Sequence, residues 1–326
     1  MRAVLCKEWG GPEKLVVEDI PSPPMKDGQV RVAVHAAGVN FADLLLVAGE
    51  YQEKPAFPFT PGAEAAGVVT EVGAGVNSLE AGDRVMAIAG SGAYAEEVVV
   101  SADRVYRIPD KMDFMAAAGF PVAYGTSHGA LAWRARLRAG EWLLVLGAAG
   151  GVGLTAIEIG KVIGAKVIAC ANGPEKLAIA QKHGADHLID YSREDIRERV
   201  KAITGGHGAD VVYDPVGGDA FDASLRSIAW EGRIIIIGFA AGRIPQIPAN
   251  IALVKNIDII GFYWGSYQSR NPELVRRSLT QLLRWAEEGK LKPHVSEHAD
   301  LKNVAQALEM LRQRKSTGKV VLTTGR

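Results

Sequence analysis

Hydrophobic positions along this chain follow two rhythms, and the change falls near residue 120. Before it, short apolar or alternating runs at 2–6, 15–19, 29–37, 63–72, 84–89 and 93–100 are separated by dense glycine and proline. That is the pattern of strands joined by tight turns, and it predicts a compact β-barrel-like domain. After it, strand-length apolar runs at 143–147, 166–170, 187–190, 209–214, 232–238 and 256–261 alternate with helix-length segments. Several are apolar throughout, as in Ile234-Ile-Ile-Ile237, which predicts a parallel sheet covered on both faces. Six strands in this order make a doubly wound α/β domain. Two amphipathic segments, 272–288 and 301–314, and a last strand, 319–323, follow. With no third core to join, this tail is expected to return to the N-terminal domain. The predicted division is 1–120 plus 265–326 for the first domain and 121–264 for the second.

One junction in the second region carries chemistry. The run Leu143-Leu-Val-Leu146 ends in Gly147-Ala-Ala-Gly-Gly-Val-Gly153, and an apolar-faced helical segment follows at 154–163. Strand, glycine turn and helix in this order form the dinucleotide-binding fingerprint as A-x-G-x-x-G, with Ala148, Gly150 and Gly153 at its fixed positions. Small residues let backbone N–H groups approach a pyrophosphate, and the helix start presents unpaired donors to it. Ala148, Ala149, Gly150, Gly151, Val152 and Gly153 are therefore candidate cofactor contacts. The next strand ends at Ala171 and Asn172, where a site for NAD usually carries an acid for the ribose 2′-hydroxyl. Glu175 lies beyond Pro174, inside the next helical segment. The missing acid, with Lys176 one turn on, favours NADPH, and Asn172 and Lys176 join the cofactor candidates.

Composition removes other classes. With 326 residues, 48 % hydrophobic and 23 % charged, the chain suits two globular domains. Lysines and arginines (37) balance aspartates and glutamates (37), so nothing points to nucleic acid or an anionic membrane. No apolar run approaches the roughly 20 residues of a membrane span. The apolar stretch before Lys7 is short for a signal peptide. Only Cys6 and Cys170 are present, each in an apolar strand-like segment, which fits reducing cytoplasm.

Five ordered segments carry a family resemblance over the whole chain: Gly38-Val-Asn-Phe-Ala-Asp43, Pro61-Gly-Ala-Glu-Ala-Ala-Gly67, Gly82-Asp-Arg-Val85, the fingerprint, and Gly318-Lys-Val320. The chain resembles the medium-chain dehydrogenase/reductase superfamily and, within it, the zinc-independent quinone oxidoreductase (zeta-crystallin-like) branch. The resemblance implies a GroES-like β-barrel domain split by an inserted Rossmann domain with a six-stranded parallel sheet. It also implies a reaction in the interdomain cleft. Where zinc alcohol dehydrogenases have Cys and His, this chain has Asn40 and Ala63, and the loop of four cysteines is missing. A catalytic zinc needs three protein ligands, so no metal is expected. Without a Lewis acid to stabilise an alkoxide, quinones and conjugated carbonyls, which accept hydride unaided, are the fitting acceptors.

The resemblance puts Asn40, Asp43 and Tyr51 beside the reaction. Asn40 either bonds the cofactor or acceptor, or caps the following helix. Asp43 reads as a first-turn carboxylate with a structural bond, or as a proton donor. Tyr51 is a proton donor or a packing residue. Thr126 matches the family's cofactor-contacting threonine. Lys176, Tyr191 and Arg314 match its basic and tyrosine contacts to a 2′-phosphate. Val216, Gly238, Phe239, Phe262, Tyr263 and Trp264 follow the later strands, where Rossmann ligands lie. The aromatic run from Phe262 either stacks on a planar acceptor or packs. Finally, the apolar run 256–263, from Asn256 to Tyr263, is a sheet edge. It predicts a homodimer, as the resemblance also does. Two other readings stay open: an enoyl-thioester or conjugated-enone reductase, and a non-catalytic NADPH-binding protein.

Overall fold

The computed structural model describes residues 1–326. Seven strands precede residue 110: β1 (Arg2–Leu5), β2 (Val16–Asp19), β3 (Gln29–Val39), β4 (Glu64–Val72), β5 (Arg84–Ile88), β6 (Glu97–Ser101) and β7 (Val105–Arg107). Six more follow: β8 (Trp142–Leu146), β9 (Lys166–Ala171), β10 (His187–Asp190), β11 (Ala209–Asp214), β12 (Ile228–Ile236) and β13 (Asp258–Gly261). Two strands close the chain, β14 (Val295–Asp300) and β15 (Lys319–Thr323).

The chain forms two compact units. The first holds Met1–Val122, Leu279–Glu287 and Pro293–Arg326, and the second holds Ala123–Ser278 and Glu288–Lys292. The second thus runs past the expected end at residue 264. Phe262 and Tyr267 pack with Trp133, and His128 Nδ1 lies 2.7 Å from Ser278 Oγ, so the segment after β13 is held by second-unit side chains.

In the first unit, strands run in the order β14-β15-β3-β4-β5-β7, with β6 also on β3. Neither β7 nor β14 was legible as a strand; β14 is polar (Val-Ser-Glu-His-Ala-Asp) and lacks an apolar rhythm. The core joins Val30, Val32 and Val34 of β3 to Leu301, Val304 and Leu308 near the C-terminus, so the tail completes the barrel. Gly67 of β4 pairs with Val34 of β3. A Cβ there would fall on the carbonyl oxygen of Ala33, so only glycine admits this approach.

The second unit is built on six parallel strands in the order β10-β9-β8-β11-β12-β13. This is the doubly wound arrangement, and ligands lie beyond the carboxyl ends of its strands. Its core is the apolar runs themselves, including Leu144, Leu146, Ile168, Val212 and Ile234. β12 begins four residues before the predicted start. Ile228 pairs with Ala209, then the ladder is interrupted, with Glu231 at φ 57°, and resumes at Arg233 opposite Val211. The last strand of this sheet is shorter than the predicted 256–261. Asn256, at φ 53°, ends the helix Ala249–Lys255, and Ile257 is buried, leaving Asp258–Gly261 as the edge.

Gly67→Ala should destabilise the chain by about 3 kcal/mol through this overlap, read as a lowered urea midpoint.

Candidate functional site

The fingerprint forms at the carboxyl end of β8. Gly150 precedes the helix Gly151–Ile163, and no side chain caps that helix. The turn is tight: Gly150 N donates to Gly147 O at 3.0 Å, and Ala148 N to Cys170 O at 3.1 Å. A Cβ on Gly153 would sit 2.8 Å from the carbonyl carbon of Ala148, so the helix packs on the turn only with glycine there. Ala148 and Ala149 are buried, and Gly151 and Val152 are half-buried. An uncapped helix start of 13 residues behind a glycine turn fits the pyrophosphate of a dinucleotide.

Neighbouring strand ends converge on the same end of this sheet. Asn172 is exposed after β9, and Lys176 is half-buried on the helix Pro174–Lys182. Asp190, ending β10, orders this corner: its Oδ1 accepts from Gly173 N at 3.1 Å and from Ser192 Oγ at 2.6 Å. These bonds, the Ser192 hydroxyl first, hold its carboxyl below the usual range. Tyr191, exposed, is brought beside β9 by its amide bond to Ala171 O at 3.2 Å. After β11, Asp214 Oδ1 accepts from Val216 N and Gly217 N, both at 2.8 Å, while its carbonyl accepts from Ile237 N. The loops carrying Val216, Gly238 and Phe239 are thereby tied together. Burial pushes the Asp214 carboxyl up, against the two amide bonds.

Thr126 is buried on the helix Pro121–His128. The next residue docks that helix on the fingerprint helix: Ser127 Oγ lies 2.8 Å from Thr155 Oγ1 and 2.9 Å from Tyr213 OH. The aromatic run after β13 divides. Phe262 and Trp264 are buried, the indole so close on Gly125 that a Cβ there would lie 2.6 Å from Trp264 Cε2. These two rings are packed in the second unit, and Tyr263 is the exposed one of the three. Arg314 belongs to the first unit, exposed and at φ 55°.

In the first unit two of the predicted residues, Asn40 and Asp43, join a buried charged cluster. Asn40 sits at the N-cap of the helix Phe41–Ala48. Its side chain is engaged inside the cluster: Oδ1 accepts from Lys319 Nζ at 2.7 Å, and Nδ2 donates to Glu64 Oε1 at 2.9 Å. Lys319 Nζ also reaches Glu64 Oε1 at 2.8 Å and Val39 O at 2.9 Å, and Glu64 Oε2 accepts from Val122 N at 2.8 Å. Glu64 is 0 % exposed, so its charge is met entirely inside the protein. Asp43 Oδ2 accepts from Asn40 N at 2.8 Å and Tyr94 OH at 2.7 Å, which is the structural bond of the first reading. Burial pushes its carboxyl up to about 6, against the lowering effects of Tyr94, the Asn40 amide and Lys319. Tyr51 packs on the patch of Cys6, Leu46, Val47 and Phe59. Glu64, Tyr94 and Lys319 escaped the sequence reading. For Glu64 and Lys319 the signal was a charge inside an otherwise apolar strand, in the segments Ala63-Glu-Ala-Ala and Gly318-Lys-Val-Val; Tyr94 left none. No three His, Cys, Asp or Glu side chains come together as a ligand set for a metal.

With fold and site in view, the class is that of two-unit dehydrogenases. Residues 26–110 match the alcohol dehydrogenase GroES-like domain, and residues 151–281 match the family described as zinc-binding dehydrogenase. The chain is 48 % identical to quinone oxidoreductase-like protein 2 homolog of Nematostella vectensis, over 99 % of this chain and 89 % of that one. It is 34 % identical to the human quinone oxidoreductase, over 99 % and 97 %. The crystal structure of Escherichia coli quinone oxidoreductase complexed with NADPH aligns with a TM-score of 0.91 at 31 % identity, over 99 % of this chain and 100 % of that one. The chain belongs to the medium-chain dehydrogenase/reductase superfamily, in its zinc-independent quinone oxidoreductase branch, and is an oxidoreductase.

Asp43 makes the first unit pH-sensitive. Its folded-state value lies above the ordinary 3.8, so the folded chain holds the proton more tightly. This contribution is full below about pH 4 and is lost as pH rises through 6, on the order of 3 kcal/mol in all. Asp43→Asn, which stays neutral, should remove it. Urea unfolding of both proteins at pH 4.5 and 7.5 should show the variant gaining relative stability at the higher pH; a constant difference would contradict it.

Proposed function

We propose that the chain is an NADPH:quinone oxidoreductase that passes reducing equivalents to a quinone or similar conjugated carbonyl. The observation that carries the cofactor choice is the corner after β9. No acid stands at its end, while Lys176 and Tyr191 flank it and Asp190 is turned onto Gly173 and Ser192. A 2′-phosphate there meets a cation and no opposing carboxylate. The name of the Escherichia coli relative, bound to NADPH, supports the same choice.

NADPH supplies a hydride, and the chain's part is to hold and orient. The backbone of 150–153 receives the pyrophosphate, Val216, Gly238 and Phe239 line the strand ends, and Thr126 contacts the cofactor from its helix. Asn40 and Asp43 shape the first unit's contribution through the buried cluster rather than by touching the acceptor. Asn40 and Ala63 stand where zinc dehydrogenases carry Cys and His, which supports an acceptor that takes hydride without metal activation, as quinones do. Both thiols are buried and unpaired, in keeping with a reducing compartment such as the cytoplasm.

Two expectations test this reading. NADPH should bind at least about tenfold tighter than NADH, with Lys176→Ala shrinking the gap. In the same buffer 1,4-benzoquinone should drive NADPH oxidation much faster than crotonyl-CoA. A preference for NADH, or for the thioester, would overturn the respective half.

The protein is also proposed to pair with a second copy through β13. That strand is the edge of the sheet, and large apolar side chains stand exposed around it: Trp230 at 66 %, Leu253 at 77 % and Val254 at 74 %. Pairing two such edges about a twofold axis satisfies their backbone groups and covers these side chains. Light scattering at micromolar concentration should give twice the chain mass, and Leu253→Asp with Val254→Asp should give single chains. A single-chain mass for the unaltered protein would refute the pairing.

A further inference from the structure

Glu158 lies on the fingerprint helix, 4 % exposed, and its carboxylate has no role in the readings above. Taking a carboxylate out of water costs several kcal/mol unless donors replace the water. Here they do, from three directions. Tyr124 OH donates to Oε2 at 2.6 Å. His183 Nδ1 lies 2.7 Å from Oε1. Lys292 N reaches both oxygens, at 3.1 and 3.2 Å. Burial and the adjacent carboxylate hold the Tyr124 hydroxyl far above its usual range, so this phenol remains a donor at every working pH.

Two of these moorings, Tyr124 and His183, lie on the elements that carry the proposed cofactor contacts. Tyr124 stands two residues before Thr126 on the same helix. His183 is the C-terminal cap of the helix Pro174–Lys182, which carries Lys176. Glu158 itself stands five residues past Gly153, within one rigid helix. One carboxylate thus fastens the threonine helix and the lysine helix to the helix that begins at the pyrophosphate turn. A hydrophobic residue at 158 would fill the same space but would hold neither neighbour at a fixed angle or height. Charge-assisted bonds are short and directional, and that is what setting three contact groups to one ligand demands.

We propose that Glu158 is a positioning residue for the cofactor, fixing the height of Thr126 through Tyr124 and that of Lys176 through His183. This rests on the NADPH reading above. The two arms act on different parts of the ligand. The Tyr124 arm affects NADPH and NADH alike, whereas the His183 arm affects only the ligand that carries a 2′-phosphate.

Fluorescence titration of Glu158→Gln, Tyr124→Phe and His183→Leu with NADPH and with NADH, beside thermal melting and kcat at saturating cofactor, tests this. Glu158→Gln should raise the NADPH Kd about tenfold, the change that loss of one charge-assisted bond corresponds to, with kcat at saturation retained. Tyr124→Phe should weaken both cofactors by a common factor. His183→Leu should weaken NADPH and leave NADH unchanged, so that discrimination falls. A lowered melting temperature with both Kd values unchanged in all three variants would make the carboxylate a packing device and overturn the proposal. So would a His183→Leu loss shared equally by the two cofactors. If Glu158→Gln does not fold, the two single-arm variants decide the matter, since each leaves the carboxylate in place. Failure of the NADPH reading looks different: the unaltered protein itself would then show no preference for NADPH, while the Tyr124 arm would still be read with NADH.

Discussion

A carboxylate removed from water must find its donors within the chain, and each unit of this protein is arranged round one that has. In the first unit it is Glu64, met by Lys319, Asn40 and the amide of Val122. In the second it is Glu158, met by Tyr124, His183 and the amide of Lys292. In both, the partners come from segments far apart in sequence, Glu64 and Lys319 being 255 positions apart. Apolar packing sets the angle between such segments only to within about 15–20°. The bonded carboxylate prefers one, because any other leaves a buried charge unpaired, at a cost of about 3–5 kcal/mol.

This explains why the residues beside the expected reaction are less free than their types suggest. Asn40 has an amide that could serve a ligand, yet Lys319 and Glu64 take its oxygen and nitrogen. Asp43 could donate a proton, yet it accepts from Tyr94 and the Asn40 amide and is 2 % exposed. The first unit supplies a rigid, internally satisfied frame where zinc dehydrogenases have metal ligands. Chemistry that needs no Lewis acid is consistent with such a frame.

The second unit follows a different economy. Its strands are apolar throughout, so polar chemistry is confined to their carboxyl ends and the turns that follow. Asp190 and Asp214 show how those turns are held: each carboxylate accepts from backbone amides just beyond its own strand or its neighbour's. The helix start at Gly151 has no side-chain cap, so its first amides are not taken up by a side chain. Strain is placed away from this end: Glu231, at φ 57°, interrupts the beginning of β12, not its end.

The two rhythms, most of the strands and the glycine turn were legible in the residues, because each is set within a short stretch. A run such as Ile234-Ile-Ile-Ile237 can be at rest only inside a covered sheet. Gly153 after Gly150 and Ala148 announces a close backbone approach whatever surrounds it. The strand β14 was not legible, because its residues are polar and only β15 beside it makes them a strand. Nor were the partners of Glu64 and Glu158, since a lone acid in an apolar segment says that a donor must exist but not which one. The aromatic run after β13 could be read as a stacking surface or as packing. The close seat of Trp264 on Gly125 and of Phe262 on Tyr267 is the sum of many contacts that no local pattern encodes. Local backbone and hydropathy preferences are properties of the sequence by itself. The pairing of buried charges belongs to the tertiary structure, because it depends on which distant segments the fold brings within about 3 Å.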